Sequence, residues 1–174
     1  MSRTLVAYAS RMGGTEGIAQ AVADELRAAG LVVDLLPAAD VHDLTGYDSV
    51  VFGSAVYAGR WMRPARALLK RLAADRHVGH RVRVWLFHSG PLGPGQAQAS
   101  VPAPGKVAAY AIALGADQPK TFGGRIEPES AKGFLADSMA KGDLAGDYRD
   151  FPQITEWART IAAELRSSTA GATS

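Results

Sequence analysis

The stretch "LVAYASRMGGTEGIAQAVADEL" (residues 5–26) decides the fold. Residues 4–9 form a nearly all-apolar, β-prone run of the kind required by a strand covered on both faces. Beyond Gly13-Gly14 the apolar period changes. Ile18, Val22 and Leu26 recur at i, i+4, i+8 with Ala19 and Ala23 beside them, one face of an amphipathic helix that ends near Gly30. Ser10, Arg11, Met12, Gly13, Gly14 and Thr15 therefore occupy a strand-to-helix junction. The first N–H groups of a helix have no intrahelical partner, and the helix dipole adds about half a positive charge there. Glycines allow a tight loop, Ser10 and Thr15 add hydroxyl donors and Arg11 adds a cation, a set suited to a phosphate monoester. A plain turn with Thr15 capping the helix uses the same residues, and Glu16 places a negative charge in the first turn. The dinucleotide pattern G-x-G-x-x-G is absent, as is a triphosphate loop ending in Gly-Lys-Ser/Thr.

Outward from this junction, strand and helix patterns alternate. Further strands are expected over 31–36, 48–53 and 81–88, with a fifth, weaker one contained within 119–126. Helices are expected from Pro64 to about Ala74, over 106–114, and from Pro152 to Arg166. Such alternation predicts a doubly wound parallel sheet with right-handed crossovers. A chain of 174 residues suits one domain, here 1–166, with 167–174 as a disordered tail. Ligands of such sheets bind beyond the carboxyl ends of the strands, which points to loops 10–15, 54–61 and 88–95.

In "GSAVYAGRW" (53–61) small residues beside Tyr57 and Trp61 would let a flat aromatic ligand lie on backbone; equally, the two aromatics could cover the sheet edge. "HSGPLGPGQ" (88–96) is a rigid, non-helical segment, and His88 before it is either a proton donor or acceptor or the partner of a nearby backbone group.

Composition narrows the function classes. The absence of cysteine excludes disulfides, thiolate catalysis and metal centres built on Cys, and no metal site is expected. Eight of the nineteen Lys and Arg lie between Arg60 and Arg83, with Asp75 as the sole acid there. That stretch either attracts carboxylates or anionic lipid headgroups, or is a solvated helix face. No apolar run reaches the ~20 residues that span a bilayer, and the opening run is too short for a signal-peptide core. A cytoplasmic protein is expected, peripheral at most to the inner face of a membrane, with no nucleic acid as partner.

The motifs resemble the flavodoxin-type FMN-binding superfamily. "SRMGGT" resembles its phosphate loop, S/T-x-T-G-x-T, with Met12 standing where the family has a hydroxyl. "VVFGSAVYAGRW" resembles the G-S/A-x-I/V-x-x-G-x-W/F stretch of the bacterial protoporphyrinogen oxidase branch, and "GDYRDFPQITEWARTIAAEL" resembles its C-terminal end. In that branch the segment before the last helix is longer and richer in apolar and basic residues than "IEPESAKGFLADSMAKGDLAGDYRD". The resemblance implies an α/β, flavodoxin-like, three-layer fold with a five-stranded parallel sheet of order 2-1-3-4-5, holding FMN. Ser10, Arg11, Met12, Gly13, Gly14 and Thr15 would surround the phosphate. Ser54, Ala55, Val56, Tyr57, Ala58 and Gly59 would line one side of the flavin ring, and His88, Ser89, Gly90, Pro91, Leu92 and Gly93 the other. Arg60 and Arg63 would hold an anionic substrate. The activity implied is FMN-dependent oxidation of a reduced small molecule with a quinone-type acceptor as redox partner. Two alternatives remain, an electron carrier without its own substrate and a flavin-free interaction module; homo-oligomers are compatible with all three.

Overall fold

In β1 (Arg3–Ala9) every residue from Thr4 to Ala7 is buried, so both faces of this strand are covered, as its unbroken apolar run requires. Around it, the computed structural model describes residues 3–75, 82–90, 100–126 and 146–171. β2 (Val32–Pro37), β3 (Ser49–Tyr57), β5 (Arg83–Ser89) and β6 (Lys120–Phe122) complete a parallel sheet of order β2-β1-β3-β5-β6. Numbered among parallel strands alone, this is the expected 2-1-3-4-5. The extra element, β4 (Arg60–Trp61), pairs antiparallel with β3.

Two apolar layers flank the sheet. α1 (Gly14–Ala28) and α4 (Phe151–Gly171) bury Ile18, Val22, Leu26, Ile154, Ala158 and Ile161 against Val6, Val51 and Phe87. On the opposite face, α2 (Arg63–Ala74) and α3 (Lys106–Ala113) bury Leu68, Leu69, Leu72, Val107 and Ala111 against Leu5, Phe52 and Leu86. In the first layer the rings of Phe87, Phe122 and Trp157 meet edge-on, with centroids 5.5 to 6.0 Å apart. This cluster requires glycine in the neighbouring strand: a Cβ on Gly53 would lie 2.1 Å from Phe87 Cζ.

Three element boundaries stand out, two of them departures from the expected ones. First, β3 runs to Tyr57 instead of stopping at Gly53, because β4 returns along it and pairs Trp61 with Val56 and Arg60 with Tyr57. The two-residue turn between them has both Ala58 (φ 47°) and Gly59 (φ 69°) in the left-handed region, the twist that a tight hairpin favours. The expected 54–61 loop is thus a hairpin. Second, β6 stops at Phe122, since the backbone of Tyr148 crosses Gly123 so closely that a Cβ there would sit 1.9 Å from its carbonyl oxygen. The chain then forms β7 (Arg125–Ile126), paired antiparallel with β8 (Gly146–Asp147).

Third, α4 passes Arg166 and continues to Gly171, where a tail was expected. The Ser167 and Ser168 hydroxyls donate to the Glu164 carbonyl at 2.9 and 2.8 Å, and Arg83 on β5 donates to that carbonyl and to Ser168. No helix among the described residues is long and apolar enough to cross a membrane.

Candidate cofactor site

The register aligns the carboxyl ends of the central strands, with Ala9 beside Ser54, Ala55 beside Ser89, and Ser89 beside Phe122. β1 leads into α1 on one face and β3 into α2 on the other, so strand order reverses between them and a crevice opens. The groove there encloses about 90 Å³. Ser10, Met12, Gly14 and Thr15 form one wall, Ala55 to Ala58 the facing wall, Ser89 and Gly90 the floor, and Gly124, Arg125 and Ile126 an end.

The floor of this groove meets the start of α1. Gly13 is the N-cap residue, in the left-handed region at φ 76°, and no side chain caps the helix. The Gly17 N–H donates to the Gly13 carbonyl at 3.0 Å, so the amides before Gly17 precede the intrahelical ladder. Thr15 is not the cap. It is 1% exposed, and its hydroxyl lies 2.7 Å from Ser89 Oγ, tying the first turn of α1 to the end of β5. The Glu16 carboxylate, in the first turn, accepts from the Tyr8 phenol at 3.0 Å. Burial first, and that hydrogen bond second, raise the Tyr8 phenol above its ordinary pKa.

A second support comes from near the chain's other end. Arg149, 7% exposed, pairs with Asp147 at 2.5 Å and donates to the Gly14 carbonyl at 3.4 Å. The hydrogen bond from Arg149 holds the Asp147 carboxyl below its ordinary range. Gly17 has no side chain where this guanidinium lies: a Cβ would be 2.3 Å from Arg149 Nη1. These residues keep a helix N-terminus open to an anion and fix its orientation.

Several expected ring-side residues lie elsewhere. His88 is fully buried below the groove and faces the α2–α3 layer: Trp61 Nε1–H donates to its Nδ1 at 3.4 Å, and its Nε2 is 2.9 Å from Thr121 Oγ1. An indole N–H only donates, so Nδ1 accepts and Nε2 carries the proton. Burial lowers its pKa to about 4, leaving a neutral, fully partnered histidine. Ser54 is also buried; its hydroxyl accepts from the Met62 N–H at 3.1 Å and donates to the Ala55 carbonyl. The strand's alternation turns both inward.

Arg11 faces away from the groove, into an open trough of about 350 Å³ with Tyr57, Arg60 and Arg63. Its charge partly offsets the rise in the Tyr57 phenol pKa that burial causes. Gly59 lines a separate groove described below. Pro91, Leu92 and Gly93 lie outside the described residues. Sequence reading missed Gly124 to Ile126 and Arg149. Gly123-Gly124 carried a signal for the former, a break at the carboxyl end of the last strand, but the strand was not bounded within 119–126.

A family profile for the flavodoxin domain matches residues 5–127. The chain belongs to the flavodoxin-domain family. The match spans the sheet, the junction at Gly13 and both facing walls of the groove. Among solved structures, a flavodoxin from the domain Archaea superposes with a TM-score of 0.64 at 16% identity, over 94% of this chain and 99% of that one. Rubredoxin:oxygen oxidoreductase from Desulfovibrio gigas gives 0.65 at 17% identity, with 98% of this chain covering 37% of that chain. A Fusobacterium nucleatum flavodoxin mutant bound to flavin mononucleotide gives 0.50 at 19% identity, over 70% and 68% of the two chains. At these identities the likeness is one of fold. No curated protein matches the sequence.

Proposed function

We propose that this flavodoxin-domain protein binds FMN and transfers electrons through it. The observation that carries this reading is the uncapped N-terminus of α1, open at the point where strand order reverses. Its fit to FMN rests on the donor chemistry: unpaired helix amides and the Ser10 hydroxyl suit a terminal phosphate, and the Glu16 carboxylate of the same turn is engaged by the Tyr8 phenol. The enclosed 90 Å³ is below the roughly 300 Å³ at which pockets for whole small ligands begin. The described walls thus accommodate the anionic end and one side of the molecule, with Ala55 to Ala58 and Gly90 as backbone surfaces for the ring. FMN, when bound, supplies one- and two-electron transfer; the protein supplies binding, orientation and access.

Within this class the finer reading is an oxidoreductase related to the protoporphyrinogen oxidase branch, passing electrons from a reduced substrate to a quinone-type acceptor. The β3–β4 hairpin carries that branch's sequence pattern, and Arg60 and Arg63 stand beside Tyr57 to receive an anionic substrate. A carrier without a substrate is the second reading, favoured by a groove with no His, Asp or Glu among its described lining residues to move a proton.

Replacing Gly13 tests the cofactor reading. A Cβ there meets nothing within 4 Å, and Asp and Asn tolerate the left-handed region. Gly13→Asp is expected to weaken FMN binding at least about tenfold relative to Gly13→Asn, in proportion to the added charge at the helix terminus. Equal FMN affinities of the two variants would place the phosphate elsewhere. Steady-state turnover of the FMN-loaded protein with a porphyrinogen and with quinones then separates enzyme from carrier.

A further inference from the structure

Beyond the cofactor groove, a larger concavity of about 650 Å³ lies between α2 and the start of α3. Among the described residues, its lining combines apolar atoms of Ala67, Leu69, Val107 and Tyr110 with Arg60, Arg63, Arg66, Lys70 and Lys106, and includes no acidic residue. None of these five cations makes an ion pair or side-chain hydrogen bond with another described residue. The contrast with the rest of the surface is informative. Arg3, Arg27, Arg83, Arg149 and Arg159 each pair with a nearby carboxylate. Five like charges converging on one groove repel one another, and nothing described within the chain offsets this.

We infer that this groove is the docking site for an acidic segment of a partner electron-transfer protein, an amphipathic strand or helix with carboxylates flanking an apolar face. Charge complementarity selects an anionic occupant, and cations spread over β4, α2 and α3 suit several carboxylates along a segment better than one small anion. The apolar lining requires an apolar face between them. A lipid surface fits less well: the exposed large apolar residues among those described, Val32, Ile112 and Phe151, do not line the groove, so no apolar anchor accompanies the charge. Position supplies the functional link. Arg60 and Arg63 line both this groove and the trough beside Tyr57, so a segment seated here ends next to the proposed cofactor wall. The partner's proximity to the flavin, though not its docking, rests on the FMN reading.

The test uses a plant-type [2Fe–2S] ferredoxin, an acidic one-electron carrier, as probe, with binding to the full chain measured by calorimetry. Saturable binding at low salt is expected, weakening at least about tenfold on raising salt through the physiological range. The quadruple variant Arg60→Glu/Arg63→Glu/Arg66→Glu/Lys106→Glu is expected to abolish it, and the α4 surface variant Arg166→Glu to leave it unchanged. Ala67→Trp fills the groove without changing charge, and is expected to weaken binding about tenfold or more. Absence of saturable binding, or Ala67→Trp binding as wild type does, overturns the groove as the seat. So does retention on vesicles of phosphatidylglycerol and phosphatidylcholine, lost in the quadruple variant, while ferredoxin goes unbound. FMN titration of every variant keeps the two readings apart: failure of wild type to bind FMN removes the cofactor reading, whereas ferredoxin binding by the flavin-free chain still decides the docking.

Discussion

Acidification is expected to destabilise this fold through one buried imidazole. His88 is fully buried, and every polar atom of its ring is already engaged: Nδ1 accepts from Trp61 and Nε2 donates to Thr121, which also accepts from the Val101 N–H at 3.0 Å. Protonation would place a second N–H at Nδ1, facing the Trp61 N–H, a donor against a donor. Burial, which disfavours the charged imidazolium, lowers the folded-state pKa to about 4, from about 6.5 in the unfolded chain. Since the folded state binds fewer protons, its stability is fully present above the unfolded pKa and is lost as pH falls from about 6.5 to about 4. Each pKa unit corresponds to about 1.4 kcal/mol, so the loss over this window is about 3 kcal/mol, a large share of the 5–15 kcal/mol of a typical domain. The assay is urea unfolding followed by tryptophan fluorescence at pH 7, 6, 5 and 4.5, comparing wild type with His88→Gln. Glutamine can accept from Trp61 and donate to Thr121 but does not titrate. Its stability should fall less steeply with acid, the two curves converging by about 2 kcal/mol between pH 7 and pH 4.5. Parallel curves would refute the argument; the other three histidines, His42, His77 and His80, are common to both proteins and cancel.

Further outcomes follow from packing and from the supports of the groove. Gly53→Ala drives a methyl into the Phe87 ring and should cost about 1–3 kcal/mol in denaturant unfolding, a cost that Gly53→Ala/Phe87→Leu partly relieves. Thr15→Val keeps the shape of the buried side chain but leaves Ser89 Oγ without its partner, and should cost about 1–2 kcal/mol of stability. Arg149→Met removes the donor to the Gly14 carbonyl and should weaken FMN binding about tenfold, with Arg149→Lys intermediate because lysine lacks the planar fork; fluorescence quenching of free FMN measures both.

Strand order was legible because its signals are local. The run through residues 4–9, the glycines at 13–14 and the period of Ile18, Val22 and Leu26 each act within a few residues, and handedness rules supply the rest. The candidate groove was legible where it belongs to the first junction, since a strand-to-helix turn exposes amides wherever it occurs. What escaped is set by distant partners. β3 extends beyond Gly53 because β4 pairs with it, and β6 ends at Phe122, where Tyr148 crosses Gly123. His88 looked like a ring-side residue from its place at a strand's end. Trp61 and Thr121, 27 and 33 positions away, make it a buried structural group. Arg149 had no local signature at all, as an arginine followed by an acid reads as solvated surface.

The contact of Arg149 with Gly14 joins residues 135 positions apart, and it has a consequence for biogenesis. A chain emerging from the ribosome presents the turn at Gly13 and Gly14 long before the guanidinium that braces it. Until that late segment arrives, Phe87 and Phe122 lack the cover of Trp157, and the first turn of α1 lacks its clamp. Chains that have not yet reached Arg149 would therefore be poor ligand traps, and occupancy of the groove would certify that the turn and its clamp have met. Because ligand bound only by the completed fold adds to its stability by mass action, the supply of that ligand would set how many finished molecules persist.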